Sequence, residues 1–326
     1  MIVITGAAGF IGSNLAHRLA GSGTELLLVD HELNPAKAAN FVGLGRFQFR
    51  RHDHFLQDLE AGCFSPAVIY HLGACSATTE TNWSYLEQNN IEYTRRLWLW
   101  SAKNQIPFLY ASSAATYGDG SLGFDDQIAP EKLQPLNLYG KSKNDFDIWA
   151  LQQVNLGKLV PPTWAGLKFF NVYGPREQHK GRMSSVVWQT YQQIQLTGRM
   201  KLFRSTDPKY PDGGQLRDFV FVEDCVDHLI WLASQKSVGG LFNSGTGQAR
   251  SFYDLAAATF HAMGRPTDIS FIDMPKDLAR QYQNFTQAAM QSLQKTGNSK
   301  LPTSLEAGIE HYVKWLQQAH PVRQAA

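Results

Sequence analysis

Tyr139 and Lys143 stand four residues apart, with Ser113 upstream of them. Positions four apart share one face of a helix, so the Lys143 ammonium can sit beside the Tyr139 phenol. A free phenol has a pKa near ~10. A neighbouring cation favours the phenolate and brings it toward useful general-base strength. Ser113 closes the apolar run Phe108-Leu109-Tyr110-Ala111 and can hold a substrate hydroxyl as its proton leaves. A lone Tyr-x-x-x-Lys pair is common on helix surfaces. This trio gains meaning from placement, a strand-end serine followed by a helix that opens on the tyrosine.

Groups of this kind need a scaffold and an electron acceptor, and the first thirty residues describe both. Ile2-Val3-Ile4 runs into Thr5-Gly6-Ala7-Ala8-Gly9-Phe10-Ile11-Gly12. A helical pattern (Ile11, Leu15, Leu19) follows, then the run Leu26-Leu27-Leu28-Val29, which ends in Asp30. Strand, glycine turn, helix, strand and acid in that order form the dinucleotide fingerprint. Gly6 makes the tight turn, Gly9 lets backbone approach a pyrophosphate, and Gly12 lets the helix pack on the sheet. The helix N-terminus offers N–H groups and a positive dipole end to phosphates.

The alternation continues. Strands are expected at 67–72, 108–111 and 167–170, the last ending at Asn171. Helices are expected at roughly 89–103 and from Tyr139 to about Gln153. Alternating elements imply right-handed βαβ units and a parallel sheet. Farther on, Phe219-Val220-Phe221-Val222 reads as one more strand, and Glu223-Asp224 starts a helix. The expected fold class is α/β, a Rossmann-type doubly wound sheet with a smaller C-terminal α/β substrate lobe. Residues 1–167 plus roughly 217–246 would form the dinucleotide-binding domain. Roughly 168–216 plus 247–326 would form the substrate lobe.

Bulk properties narrow the classes. The chain has 326 residues, 43% hydrophobic and 18% charged, with a net charge of +2. That balance gives no reason to expect a nucleic-acid or membrane partner. No apolar run reaches transmembrane length, and no basic n-region precedes the first strand, which argues against a signal peptide. The cysteines, Cys63, Cys75 and Cys225, lack CxxC spacing, so neither a disulfide framework nor a zinc site is expected. A cytoplasmic location and no bound metal are the expectation.

The Gly-x-x-Gly-x-x-Gly spacing and the Ser-Tyr-Lys trio resemble the extended short-chain dehydrogenase/reductase superfamily over nearly the whole chain. Longer motifs narrow the resemblance: Gly73-Ala74-Cys75-Ser76-Ala77-Thr78-Thr79-Glu80, Tyr110 to Gly118, and Phe170-Asn171-Val172-Tyr173-Gly174-Pro175-Arg176-Glu177-Gln178-His179-Lys180-Gly181. These, with Phe285-Thr286-Gln287-Ala288, look like the ADP-L-glycero-D-manno-heptose 6-epimerase family, which supplies heptose for lipopolysaccharide inner core. The resemblance implies oxidation at C6 of the heptose, turnover of the ketone in the pocket, and hydride return to the opposite face. It implies Tyr139 and Lys180 as the two acid/base groups, with Lys143 supporting the tyrosine and Ser113 orienting the substrate. Lys180 suits that role only with a pKa lowered by burial or a nearby cation. A homo-oligomer, as a pentamer, is also implied.

By the same resemblance, Phe10, Ile11, Asp30, His31, Lys37, Arg51, Leu72, Gly73, Ala74, Cys75, Ser76, Asn89, Tyr139, Lys143, Val172 and Lys180 belong to the cofactor shell. Ser113, Asn171, Arg182, Gln189, Phe203, Arg217 and Tyr282 belong to the sugar-nucleotide shell. A guanidinium such as Arg217 suits a diphosphate; its plainer use is an ion pair with Asp218. Arg182 stands where the family tends to have serine and Gln189 where it tends to have histidine, and the stretch 206–216 looks longer. Asp30 normally favours NAD through the ribose 2′-hydroxyl. Lys37, Arg50 and Arg51 offer charge to a 2′-phosphate, so NADP is the expected cofactor and NAD the alternative.

Two other readings compete. A related sugar-nucleotide enzyme, a UDP-hexose 4-epimerase or a 4,6-dehydratase, is one; dehydratases usually carry an acid pair that Ala114-Ala115-Thr116-Tyr117 lacks. A cofactor-binding sensor without turnover is the other, and such proteins typically lose the tyrosine or lysine kept here.

Overall fold

The structure, a computed structural model, describes residues 1–21, 23–31, 33–275 and 283–319. They divide into two compact units. One comprises Met1–Phe169, Cys225–Ser244 and Ala289–Ser299; the other comprises Phe170–Asp224, Gly245–Ala288 and the chain from Lys300 onward.

Seven parallel strands form the sheet of the first unit. Their order is Gly239–Ser244, Trp164–Phe169, Phe108–Ser113, Val68–His71, Ile2–Thr5, Leu26–Asp30 and Gln48–Arg51. From Ile2–Thr5 the chain builds the sheet first in one direction and then, starting with Val68–His71, in the other. Such a reversal opens a crevice outside the strands' carboxyl ends. The turn at Gly6 and the segment after His71 both emerge there, because Thr5 is the register partner of His71. Apolar side chains bury the sheet; Trp98 packs edge-on against Trp164, with ring centroids 4.9 Å apart, and against Phe146 at 6.1 Å.

The second unit has its own sheets. Leu216–Phe221 pairs in parallel with Asn171–Tyr173 and antiparallel with Ala249–Ser251. Ile269–Ile272 pairs in parallel with Met200–Phe203 over a small core containing Ile194 and Phe260.

Three expectations shift. The strand expected to run on to Asn171 stops at Phe169. Val172 N–H donates to the Phe170 carbonyl at 2.9 Å, and this tight turn sends Asn171–Tyr173 into the other sheet. The helix expected from Asn89 begins at Trp83 and runs to Asn104, with a π-helical turn at Glu87–Glu92. Unit boundaries also differ from those read in the sequence. Residues 217–224 fall in the second unit, since their strand finds both its partners there. Residues 289–299 fall in the first, where Ala289 N–H donates to the Phe124 carbonyl (3.1 Å) and Ser292 to Asp126 (2.5 Å). Among the described residues, no helix is long and apolar enough to cross a membrane.

Candidate active site

The glycine turn has the shape a dinucleotide needs. Gly6 is left-handed, at φ 66°, and a Cβ there would lie 2.5 Å from the Gly73 nitrogen. A Cβ on Gly12 would meet the Gly6 carbonyl oxygen at 2.2 Å. The turn thus admits no side chain at either place, and backbone lies where phosphates approach. The helix Phe10–Ala20 starts at Gly9 with no side-chain cap, which suits anion binding at its N-terminus. Phe10 is buried and Ile11 half-buried.

Asp30 ends its strand as a buried carboxylate. It accepts from Ala8 N–H (2.9 Å), His31 N–H (2.8 Å) and Lys37 Nζ (2.8 Å). Lys37 therefore neutralises the acid and keeps an ammonium beside it. Arg50 and Arg51 turn to other acids, Asp58 at 3.6 Å and Asp53 at 2.9 Å. His31 packs on His52 with ring centroids 3.7 Å apart, and burial is the main cause lowering the His52 pKa.

Leu72, Gly73, Ala74 and Cys75 are half-buried and Ser76 is exposed. The segment is clasped by a residue the sequence did not single out. Asn90 accepts from Cys75 N–H (2.8 Å) and donates to the Cys75 carbonyl (3.0 Å) and to Ser142 Oγ (2.9 Å). Asn89 instead donates to the Tyr85 carbonyl at 2.8 Å.

Ser113, Tyr139 and Lys143 all lie in the first unit. Ser113 ends its strand, and its hydroxyl accepts from Ala115 N–H at 3.1 Å. Asn137 caps the helix Leu138–Asn155 by accepting from Gly140 N–H at 2.8 Å. A Cβ on Gly140 would stand 2.7 Å from the Ala115 carbonyl oxygen, so the glycine lets this helix start lie against the turn after Ser113. The Ser113 hydroxyl lies close enough to the Tyr139 phenol to favour its ionised form. Burial is the largest influence on Tyr139 and moves its pKa upward, with Ser113 opposing. That net direction is opposite to the lowering expected from Lys143. Lys143 is buried, and burial pulls its pKa down to about 8, opposed first by Asp147.

The remaining candidates lie in the second unit. Asn171 is exposed and Val172 half-buried. Lys180 is half-buried, in the short turn of helix Gln178–Met183. Its pKa is lowered by burial, as the resemblance requires, and Glu177 opposes the shift. The loop folds around Glu177, a buried carboxylate that accepts from Ser185 N–H (2.5 Å) and Ser185 Oγ (2.6 Å). Arg176 takes the left-handed conformation (φ 70°), rare for such a residue. Arg217 is buried, its guanidinium 5.6 Å from the centroid of the Phe252 ring. The Asp218 carboxylate is instead taken up by the backbone N–H groups of Thr246, Gly247 and Ala288, at 2.7–3.0 Å. Arg182 is exposed, Phe203 is half-buried, and Gln189 donates to the Ser184 carbonyl at 3.0 Å. Within 206–216, the Asp207 side chain accepts from Lys209 N–H at 3.0 Å. Tyr282 lies outside the described residues.

Known proteins resemble this chain in sequence and fold. Residues 2–245 match the NAD dependent epimerase/dehydratase family. The ADP-L-glycero-D-manno-heptose-6-epimerase of Nitratidesulfovibrio vulgaris is 45% identical, over 98% of this chain and 99% of that protein. The solved structure of the Helicobacter pylori ADP-L-glycero-D-manno-heptose-6-epimerase superposes with a TM-score of 0.82 at 26% identity, over 97% and 96% of the two chains. UDP-glucuronic acid 4-epimerase from Bacillus cereus, solved with UDP-glucuronic acid and NAD, superposes at 0.78 with 25% identity, over 98% and 99%.

Proposed function

Because the chain belongs to the NAD dependent epimerase/dehydratase family, we propose a reaction with no net redox change, inversion at C6 of ADP-D-glycero-D-manno-heptose to the L-glycero epimer. The identity of 45% across 98% of the chain carries the choice of substrate. The strand-end Ser113 close to Tyr139 at a helix start, in the unit that carries the glycine turn, supports the chemistry.

The residues present fit a nicotinamide dinucleotide: a turn with no room for Cβ atoms, an uncapped helix start, and a strand-end acid. When bound, such a cofactor would supply a reversible hydride acceptor for C6. Ser113 holds the C6 oxygen by a hydrogen bond, and the Tyr139 phenolate takes its proton. The Lys143 ammonium favours the phenolate electrostatically. The resulting ketone is planar at C6, so inversion requires it to present its other face before reduction. One base is fixed on one side and cannot serve both orientations. Lys180, with a pKa already lowered by burial, supplies the second proton.

Purified protein given the D-glycero substrate is expected to yield the L-glycero epimer, of unchanged mass and identified by its NMR coupling at C6. Turnover of a UDP-hexose at C4 instead would assign the protein to a different branch of the family.

The Lys37–Asp30 pair favours NADP, since it cancels the acid that would repel a 2′-phosphate and leaves an ammonium there. Lys37→Ala is expected to weaken NADP binding about 10–100-fold, the worth of one charge-assisted hydrogen bond, with NAD affinity nearly unchanged. Titration of both cofactors against both proteins checks this; equal losses would remove the selectivity role. The family resemblance also supports a cytoplasmic homo-oligomer, expected as a pentamer, which sedimentation equilibrium would count.

A further inference from the structure

Beneath the serine, tyrosine and lysine lies a charged pair with no assigned role. Asp147 and Lys168 are 0% and 1% exposed, and their side chains meet at 2.7 Å. Replacing a buried ion pair by apolar packing of similar volume is often neutral or stabilising. Stability therefore does not explain a fully buried lysine near the end of the strand Trp164–Phe169.

The partners of the pair suggest another use. Asp147 follows Tyr139 by eight residues and Lys143 by four, so the three lie along one helix face. Its carboxylate also accepts from Ser112 Oγ (2.7 Å) and Tyr110 OH (2.8 Å), on the strand that ends in Ser113. Lys168 is the register partner of Ser112 on the neighbouring strand. Its ammonium donates to Thr116 Oγ1 (2.8 Å), and Thr116 donates to the Ser113 carbonyl (2.8 Å). The side-chain hydrogen bonds of the pair thus end on the helix carrying Tyr139 and Lys143, on the strand that ends in Ser113, or on Thr116 in the turn after it.

We propose that Asp147 and Lys168 are a positioning pair for the reaction, fixing the strand end that holds the substrate oxygen against the helix face that takes its proton. The inference rests on the reading of Ser113, Tyr139 and Lys143 as the reacting groups. It also has an electrostatic consequence. Lys143 faces Asp147 and Cys75, which favour its charge, and His71, which burial keeps neutral with a pKa pushed down to about 3. Asp147 in turn faces Lys168 and the phenols of Tyr110 and Tyr117. Losing the carboxylate lowers the Lys143 pKa. Losing Lys168 exposes Lys143 to the full carboxylate charge and raises it.

The test compares Asp147→Asn and Lys168→Met with the parent protein. Turnover per folded molecule is expected to fall about 10–100-fold in each, the cost of a small misplacement of reacting groups, with cofactor affinity retained. The Lys143 ammonium, followed by NMR in 15N-lysine-labelled protein without cofactor, should titrate at lower pH in Asp147→Asn and at higher pH in Lys168→Met. A merely structural pair would lower the folded fraction and leave turnover per folded molecule at the parental level, whatever the Lys143 titration does. Parental turnover per folded molecule in both variants would overturn the proposal. Should the charge variants not fold, Ser112→Ala removes one donor and keeps the pair. A turnover loss of about 3–10-fold is then expected, and parental turnover would overturn it equally. Tyr139→Phe is measured alongside. Parental turnover there would remove the reading of the site, while the Lys143 titration still reports on the pair.

Discussion

Replacing Tyr139 with phenylalanine is expected to cut turnover about 10²–10⁴-fold, the usual contribution of a positioned acid/base group. The change removes one oxygen and leaves the ring, so packing at the start of the helix is kept. Cofactor binding should survive, because the glycine turn and the Asp30–Lys37 pair belong to other elements. Single-turnover kinetics with the D-glycero substrate would show the loss in the chemical step, and near-parental rates would end the assignment. A pH dependence accompanies it. Lys143 has its pKa lowered from the ordinary lysine value to about 8. Its charge is present below that pH and is lost as pH rises through it. Turnover should therefore decline above about pH 8, well before an ordinary lysine would titrate.

Lys180→Met is expected to abolish epimerisation to a similar degree, about 10²–10⁴-fold, with cofactor affinity retained. The more telling measurement is the half-reaction, reduction of bound cofactor by each epimer separately. If Tyr139 serves one orientation and Lys180 the other, each variant should slow one epimer and spare its counterpart. The double variant should slow both. In full turnover, either single loss already blocks the cycle, so the double should cost little more than a single. Equal slowing of both epimers by Lys180→Met would reduce Lys180 to a loop residue that merely shapes the site. The loop's construction favours an active role. Glu177, buried three residues before Lys180, supports its charge against the burial that removes it.

Local patterns made much of this visible beforehand. Glycine spacing, apolar runs and the acid at a strand end are short-range signals, and the strands at 2–5, 26–30 and 108–113 lie where the runs put them. What stayed hidden depends on partners far along the chain. Lys168 sits in the run Leu167-Lys168-Phe169-Phe170 and looks like an ordinary strand residue. Its burial makes sense only once Asp147, twenty-one residues earlier, is seen against it. Tyr139 was expected to be pulled down by a lysine one helical turn away, yet burial, which no spacing reveals, prevails. The clasp by Asn90 was hidden for another reason. A π turn carries an extra residue relative to α-helical spacing, so ordinary helical counting misassigns the inward face after it.

That π turn bears on which length changes the gene can tolerate. Surface loops absorb insertions and deletions at little cost, but Glu87–Glu92 has no such slack. Deleting one residue there would restore α-helical continuity. It would also rotate one flank against the other by about 100° and slide it by about 1.5 Å. Asn90, which holds Cys75 and Ser142 through three hydrogen bonds, would swing away from both. A single-codon deletion in this stretch should therefore read as loss of cofactor retention in a protein that still folds, while the same deletion in the exposed turn at 156–159 should pass almost unnoticed.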